Sequence, residues 1–181
     1  NSKTILIAVP SLALVRQTLG SWSREAIANK IDIDWIAVCS DDDVKNADDP
    51  LMQKVDLGIK VDTDPEVVAD FFKLKSNGIK VVVTTYQSGH IVSEGLNKVG
   101  KTIDLGIFDE AHKTAVKKSG NQTGSPFQIA LYNKNINMKR RLFLTATTSV
   151  KKAKNVDQKD SADKHMAKAA IDMNNVEVYG K

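Results

Sequence analysis

The chain has 181 residues, of which 41% are hydrophobic and 27% are charged, the balance of an ordinary folded domain. That length is enough for one sizeable core, so we treat residues 1–181 as a single domain. No apolar run reaches the length of a membrane-spanning helix, and we expect no signal peptide, because residues 5–9 already have the pattern of a strand. Cys39 is the only cysteine, which excludes an internal disulfide and favours a cytoplasmic location.

The net charge of +4 is distributed unevenly along the chain. Residues 1–112 hold 12 Lys/Arg and 17 Asp/Glu, whereas residues 113–181 hold 14 and 5. A basic half is a common footprint of contact with phosphates, and it is equally common as a solvated surface. Charge alone therefore leaves contact with nucleic acid open.

The hydrophobic pattern predicts strands and helices in alternation. Strands are predicted at residues 3–9, 34–39, 79–83, 103–108 and 141–145. A first helix begins after Ser11 as N-cap, with Gly20 weakening its second half. A second begins at Asp64 and Pro65 and ends near residues 77–78, with Leu74 on its apolar face. Helices are also predicted up to residue 100 and at residues 126–132, and loops at residues 40–64 and 113–126.

This alternation predicts an α/β fold with a mostly parallel sheet flanked by helices. Polar residues follow four of the strands, and in a doubly wound sheet these strand ends lie on one edge. The four groups are Pro10-Ser11, Thr84-Thr85, Asp109-Glu110 and Thr145-Ala146-Thr147. The sequence therefore predicts one functional edge of the sheet.

Two adjacent carboxylates, Asp109 and Glu110, end the strand at residues 103–108, and His112 lies two residues further on. A hard cation such as Mg²⁺ takes oxygen ligands, so Asp109 is a candidate ligand. Glu110 is a candidate for orienting or deprotonating an attacking water. A lone carboxylate pair is also a common polar end of a strand, so the pair by itself is a weak signal.

The string Phe-Asp-Glu-Ala-His at residues 108–112 resembles the Walker B box of superfamily 2 helicases, the DEAD/DEAH family. Residues 10–17 resemble motif Ia, residues 84–88 the next backbone-contacting motif, and residues 145–147 motif III. More specifically, residues 108–115, 140–147 and 173–180 are similar to prokaryotic helicases related to restriction-enzyme motor subunits. Many of those relatives have Pro-Arg after Thr-Ala-Thr, whereas this chain has Thr148-Ser149.

The resemblance implies a RecA-like P-loop NTPase fold with three α/β/α layers, and ATP and Mg²⁺ as cofactors. It implies that Asp109 holds Mg²⁺ through water, that Glu110 is the catalytic base, and that His112 links the ATP site to motif III. It also implies a set of residues that contact the nucleic-acid backbone and a set that couples nucleotide state to movement. The first set is Pro10, Ser11, Gln17, Thr84, Thr85, Gln87 and Ser88, and the second is Thr145, Ala146 and Thr147.

The resemblance further implies a longer parent protein. We predict that no Gly-x-x-x-x-Gly-Lys-Ser/Thr string occurs in the chain. The P-loop is expected before Asn1, on a strand beside the Asp109 strand, whose absence leaves that strand at an apolar edge. A second RecA-like domain is expected after Lys181. The chain is then a partial N-terminal RecA-like domain, inactive alone, with residues 150–181 as a peripheral extension. Its expected partner is nucleic acid, DNA rather than RNA, and no membrane.

Two alternatives differ in the chemistry they assign to the carboxylates. One is a non-catalytic nucleic-acid-binding module that keeps the fold and has lost the ATPase. The other is a metal-dependent hydrolase that uses Asp104, Asp109, Glu110 and His112. The second is weak because Asp104 lies five residues before Asp109 on one strand, far from the carboxyl edge.

Overall fold

The computed structural model describes residues 3–39, 61–114 and 126–146. The predictions for Thr147, for the extension at residues 150–181 and for most of the two long loops lie outside the described residues. No helix of the described part is both long and apolar enough to cross a membrane.

Six strands of the described part form one sheet in which every pairing is parallel. The order across the sheet is β3-β2-β4-β1-β5-β6. The strands are β1 Thr4–Val9, β2 Ile33–Val38, β3 Val61–Asp62, β4 Ile79–Thr85, β5 Leu105–Phe108 and β6 Arg141–Phe143. The helices are α1 Leu12–Ala28, α2 Pro65–Lys73 and α3 Gly89–Lys98, with two 3₁₀ turns, Ala111–Thr114 and Pro126–Leu131.

Alternate side chains of the central strands form two separate core layers, because successive residues of a strand point to opposite faces. On one face, Ile7 and Val9 of β1 pack with Leu12, Val15 and Leu19 of α1. On the other face, Leu6 and Ala8 pack in a cluster with side chains of α2, α3 and the second 3₁₀ turn. The predicted three-layer α/β/α architecture is confirmed.

Helix α2 ends at Lys73, before the predicted end at residues 77–78, and Leu74 is 68% exposed rather than in the core. At this end of the helix the Lys80 ammonium donates to the carbonyls of Phe71 and Leu74. These are the carbonyls that a helix end leaves without partners. At the other end of α2 the prediction is confirmed, since the Asp64 carboxylate accepts from the Glu66 N–H at 2.9 Å.

The first helix and its N-cap position are confirmed, whereas two further predictions need correction. Helix α1 runs through Gly20 without interruption, and Ser11 is its N-cap by position although its side chain makes no capping hydrogen bond. The stretch predicted as a loop at residues 40–64 contributes β3, which pairs with Ala37 and Val38 of β2. Strand β5 is not at an edge, because β1 pairs with one side of it and β6 with the other.

Candidate functional site at the carboxyl edge of the sheet

The parallel pairing brings the carboxyl ends of β4, β1, β5 and β6 to one edge, in that spatial order. The strand ends are also level with one another. Val9 lies opposite Thr85, Ala8 opposite Phe108, and Phe108 opposite Phe143. The four polar groups that follow these strands are therefore neighbours, as the sequence predicted.

The turn after β5 has an unusual backbone at Glu110, whose φ is +50°. This left-handed conformation costs a non-glycine residue about 1–2 kcal/mol, so the surroundings must hold it. Two hydrogen bonds anchor the turn: the Asp109 N–H donates to the Ala8 carbonyl at 3.0 Å, and the Glu110 N–H donates to Asp109 Oδ1 at 2.9 Å. The backbone thus changes direction at the first residue after Asp109.

His112 lies between the Glu110 carboxylate and the Thr145 hydroxyl. Its Nδ1 is 3.1 Å from Glu110 Oε2 and 3.1 Å from Thr145 Oγ1. The tautomer of the imidazole decides whether Nδ1 donates to these oxygens or accepts from the Thr145 hydroxyl. The side chains of His112 and Glu110 are 30% and 36% exposed, so solvent reaches the pair. Glu110, His112 and Thr145 therefore form one cluster beside Asp109.

Strands β5 and β6 are tied together beneath this cluster. The Leu144 N–H donates to the Phe108 carbonyl at 2.8 Å, and the Ala111 N–H donates to the Leu144 carbonyl at 2.9 Å. The Thr114 hydroxyl donates to the Ala111 carbonyl at 2.7 Å and closes the 3₁₀ turn that carries His112. Ala146, the last described residue, is exposed at the end of this segment.

The residues predicted to contact nucleic acid divide into buried and accessible groups. Thr84, Thr85 and Ser88 are at most 1% exposed. The Thr85 hydroxyl donates to Ser88 Oγ at 2.9 Å, and the Thr84 hydroxyl donates to the Thr85 carbonyl at 3.1 Å. These hydroxyls stabilise the turn after β4. Ser11 and Gln17, in contrast, are exposed on α1.

Pro10 and Gln87 are intermediate in exposure. The Gln87 Oε1 atom is buried and has no hydrogen-bond partner within the described residues. A buried carbonyl oxygen without a partner costs about 1–3 kcal/mol. Gln87 therefore stands out among the predicted contact residues as the one with an unused acceptor.

A string that matches the P-loop pattern is present in the chain, contrary to the prediction that none occurs. Residues 95–102 read Gly-x-x-x-x-Gly-Lys-Thr. A phosphate-binding loop follows a strand and opens a helix, whereas this string closes α3 and leads into β5. Its Lys and Thr precede β5, at the amino edge of the sheet, opposite Asp109.

The hydrogen bonds of this string are those of a helix C-terminus. Gly100 has a φ of +58°, its N–H donates to the Asn97 carbonyl, and the Lys101 N–H donates to the Leu96 carbonyl. This is the left-handed glycine cap that ends many helices. Gly95 meets α2, because a Cβ there would lie 2.6 Å from the Pro65 carbonyl oxygen. The fold therefore accounts for both glycines. The N–H groups of Gly100 and Lys101, which would bind phosphate in a P-loop, already donate to carbonyls of α3.

Asp104 also belongs to the amino edge, which removes the metal-dependent hydrolase as an alternative. Its Oδ2 accepts from the Thr4 N–H and Thr4 hydroxyl, both at 2.9 Å, and its Oδ1 accepts from Lys139 Nζ at 2.6 Å. These donors, Lys139 first, lower the pKa of Asp104 to about 2. Among the described residues no group of three or more His, Cys, Asp or Glu is placed to hold a metal.

Tyr86 is a site residue to which the sequence analysis assigned no role. It is 2% exposed, and its hydroxyl donates to the Asp109 carbonyl at 2.7 Å. The signal in the sequence was an aromatic residue inside a polar turn. Nothing local revealed a partner 23 residues away.

The sheet order, the carboxylates after β5 and the hydroxyl after β6 define the RecA-like domain of a superfamily 2 helicase, close to those of restriction enzymes. The chain belongs to the ResIII family, described as "Type III restriction enzyme, res subunit", whose profile matches residues 1–150. A comparison with curated proteins gave no match.

Two solved structures are similar over almost the whole chain. The first is the ATP-dependent Type ISP restriction-modification enzyme LlaBIII bound to DNA, with a TM-score of 0.69, 25% identity, and coverage of 99% of this chain and 11% of that chain. The second is a nuclease-deletion mutant of the Type ISP enzyme LlaGI in complex with a DNA substrate mimic. Its TM-score is 0.63, at 23% identity, with coverage of 99% and 14%. The chain thus spans only a small part of the length of these enzymes.

Proposed function

We propose that the chain is part of the motor core of an ATP-dependent DNA translocase or helicase. The observation that supports this most is the cluster of Glu110, His112 and Thr145 beside Asp109, in a chain of the ResIII family. In this proposal the parent protein supplies a P-loop and a second RecA-like domain. The assignment to the DEAH-box subtype, the division of residues 1–181 into one partial domain with an extension at 150–181, and a cytoplasmic location belong to the same proposal.

Asp109 fits the task of holding Mg²⁺ through water. Magnesium keeps several of its waters and needs one or two carboxylates plus phosphate oxygens, rather than a cage of protein ligands. Asp109 offers one partly exposed carboxylate at the carboxyl edge. Bound Mg²⁺ and ATP supply, respectively, charge neutralisation of the phosphates and the transferable phosphoryl group.

Glu110 is the base in this proposal. His112 engages Oε2 of Glu110, so we assign acceptance of the water proton to Oε1. Because the same ring nitrogen also touches Thr145 Oγ1, a displacement of the segment after β6 changes the position of the base. This is the coupling role we propose for Thr145, and for Ala146 and Thr147 beyond it.

The DNA contacts we propose are also divided according to burial. Ser11 and Gln17 are accessible and can approach phosphates, and Ser11 stands at the N-terminus of a 17-residue helix with no acidic residue in its first turn. Thr84, Thr85 and Ser88 shape the turn after β4. We propose that Pro10 and Gln87 complete the surface. Contacts of this kind are largely independent of DNA sequence.

Glu110→Gln in the full-length protein tests the proposal. The amide cannot accept the proton, so ATP turnover is expected to fall at least about 100-fold while ATP binding remains. Glu94→Gln is the matched control, because Glu94 is an exposed residue of α3 that pairs only loosely with Lys98, at 3.6 Å. Turnover is expected to be unchanged in the control.

Turnover of Glu110→Gln within tenfold of wild type contradicts the base assignment. A full-length wild type that binds DNA and never hydrolyses ATP contradicts the motor and supports the non-catalytic module. Steady-state phosphate release, with and without DNA, separates these outcomes.

A further inference from the structure

Tyr86 joins the turn after β4 to the turn after β5 across the end of the strand between them. Its N–H donates to the Val9 carbonyl of β1 at 3.1 Å. Its hydroxyl donates to the Asp109 carbonyl beyond β5 at 2.7 Å. One residue thus holds three neighbouring strand ends at the edge that carries Glu110.

The carbonyl that Tyr86 holds belongs to the Asp109–Glu110 peptide group. The N–H of the same peptide group donates to Asp109 Oδ1 at 2.9 Å. The carbonyl and the N–H of this peptide plane are therefore both held by hydrogen bonds. The torsion about the next backbone bond, N–Cα of Glu110, is the φ of +50°. Because non-glycine residues avoid this conformation, loss of either bond favours rotation of the plane. The Tyr86 hydroxyl therefore helps to set the direction of the Glu110 side chain.

The ring of Tyr86 is held as firmly as its hydroxyl. It stacks on Phe108 with a centroid distance of 6.5 Å and an interplanar angle of 22°, and Phe108 stacks on Phe143 at 5.0 Å and 26°. Phe108 is fully buried. Close-packed interiors transmit displacements, so the ring cannot move without β5 and β6.

Tyr86 also lies inside the turn that the predicted DNA contacts share. Its neighbours Thr85 and Ser88 are joined by their hydroxyls, and Gln87 carries the unpartnered buried oxygen. The Gln87 side chain is partly exposed and its amide N–H can donate to a phosphate, so DNA bound there acts on the residue next to Tyr86, whose hydroxyl holds the peptide group of Glu110.

We propose that Tyr86 is a positioning residue that transmits DNA engagement of the turn at residues 84–88 to Glu110. The inference rests on the proposed function, in which this turn meets DNA and Glu110 acts on water. It adds a physical connection, one side-chain hydrogen bond, between the two activities.

Tyr86→Phe in the full-length protein removes the hydroxyl and keeps the ring stack. The quantity to measure is the ratio of DNA-stimulated kcat to basal kcat, together with KM for ATP, because loss of folded protein cancels in the ratio. We expect the ratio to fall about fivefold, the size of one lost hydrogen bond, with KM for ATP unchanged. Tyr132→Phe is the matched control, because Tyr132 is a half-buried tyrosine of the segment between the second 3₁₀ turn and β6, and its ratio is expected to equal that of wild type.

Hydrogen exchange gives a readout that does not depend on turnover. Addition of a DNA duplex is expected to change protection at residues 105–114 of wild type, and not in Tyr86→Phe. An unchanged kcat ratio, or the same exchange response in both proteins, overturns the inference and leaves the motor assignment intact. A wild type without DNA-stimulated turnover overturns both.

Discussion

The two edges of the sheet use similar residues for different purposes. At the carboxyl edge, Glu110 has a strained backbone and its carboxylate shares a histidine nitrogen with a hydroxyl. At the amino edge, Asp104 is held by three short hydrogen bonds from Thr4 and Lys139. The arrangement at the carboxyl edge costs conformational free energy and is partly exposed to solvent. The arrangement at the amino edge stabilises the starts of β1 and β5.

The difference teaches that position along a parallel strand decides what a motif can do. The Gly-x-x-x-x-Gly-Lys-Thr string at residues 95–102 has the letters of a phosphate loop and the hydrogen bonds of a helix end. It lies before β5, whereas ligands of open α/β sheets bind beyond the carboxyl ends of the strands. The edge on which a residue lies, rather than the motif it belongs to, separates the carboxylates that we propose to be functional from the structural Asp104.

The largest expected effect is on ATP turnover, when Asp109 and Asp104 are each replaced by asparagine in separate variants. In the full-length protein, Asp109→Asn is expected to lower ATP turnover at least about 100-fold, because the proposed hydrated Mg²⁺ loses its one carboxylate. Asp104→Asn, five positions earlier, is expected to leave turnover per folded molecule within about twofold, because that side chain points into a structural clamp. Phosphate release normalised to folded protein measures both. Equal losses in the two variants would remove the distinction between the edges.

A smaller effect is expected at Gly95, and it tests whether the string is structural. A Cβ at Gly95 would lie 2.6 Å from both the Pro65 carbonyl oxygen and Val68 Cβ, so α2 and α3 must separate. Overpacking of this kind costs about 1–3 kcal/mol, which outweighs a gain of at most about 1 kcal/mol from the higher helix propensity of alanine. Urea unfolding of the 181-residue chain is expected to show Gly95→Ala as destabilised.

Gly20→Ala is the matched control for that experiment. Gly20 also lies inside a helix, but the nearest atom to its added Cβ is the flexible end of Arg24 at 3.7 Å. With the space open, alanine is expected to stabilise α1 by about 0.5–1 kcal/mol. The two glycines therefore have opposite expected signs, and stabilisation by alanine at both positions would show that α2 and α3 do not pack as described.

Local signals were enough to predict the sheet and its functional edge. β1 and β4 are mostly β-branched runs and β5 is a short apolar run, all three bounded by Pro, Gly or polar residues, and such runs are recognised as strands without tertiary information. Once strands and helices alternate, parallel pairing follows, and with it the meeting of Asp109 and Thr145 at one edge. Their catalytic and coupling roles stay predictions.

The features that sequence reasoning missed depend on burial and on side-chain hydrogen bonds that exist only in the folded chain. α2 ends early, and Lys80 donates to its last carbonyls. Thr85 and Ser88 have the composition of an exposed polar turn, yet both are fully buried. The Tyr86 hydroxyl donates to the carbonyl of Asp109, 23 residues away. Patterns of polarity give no information on which of several polar groups the fold will pair.

The smallest expected effect is the pH dependence of the amino-edge clamp. Hydrogen bonds from Lys139 and Thr4 lower the pKa of Asp104 to about 2, against about 3.9 for an unfolded aspartate. A lowered folded-state pKa means that the clamp contributes fully above about pH 3.9 and that its contribution is lost as the pH falls toward 2. The Asp104 side chain is 34% exposed, so solvent screening limits the contribution to at most about 1 kcal/mol.

The measurement is urea unfolding of wild type and Asp104→Asn between pH 5 and pH 2, followed by tryptophan fluorescence. Wild type is expected to be the more stable at pH 5, and the difference is expected to narrow below about pH 3.9, because protonated Asp104 then resembles asparagine. Asp70→Asn is the control, since Asp70 pairs with Lys73 on an exposed helix face and lies outside the clamp. A difference that stays constant down to pH 2 would mean that the clamp holds Asp104 by packing alone. The charge of a carboxylate would then matter at the carboxyl edge alone, and the amino edge would depend on packing.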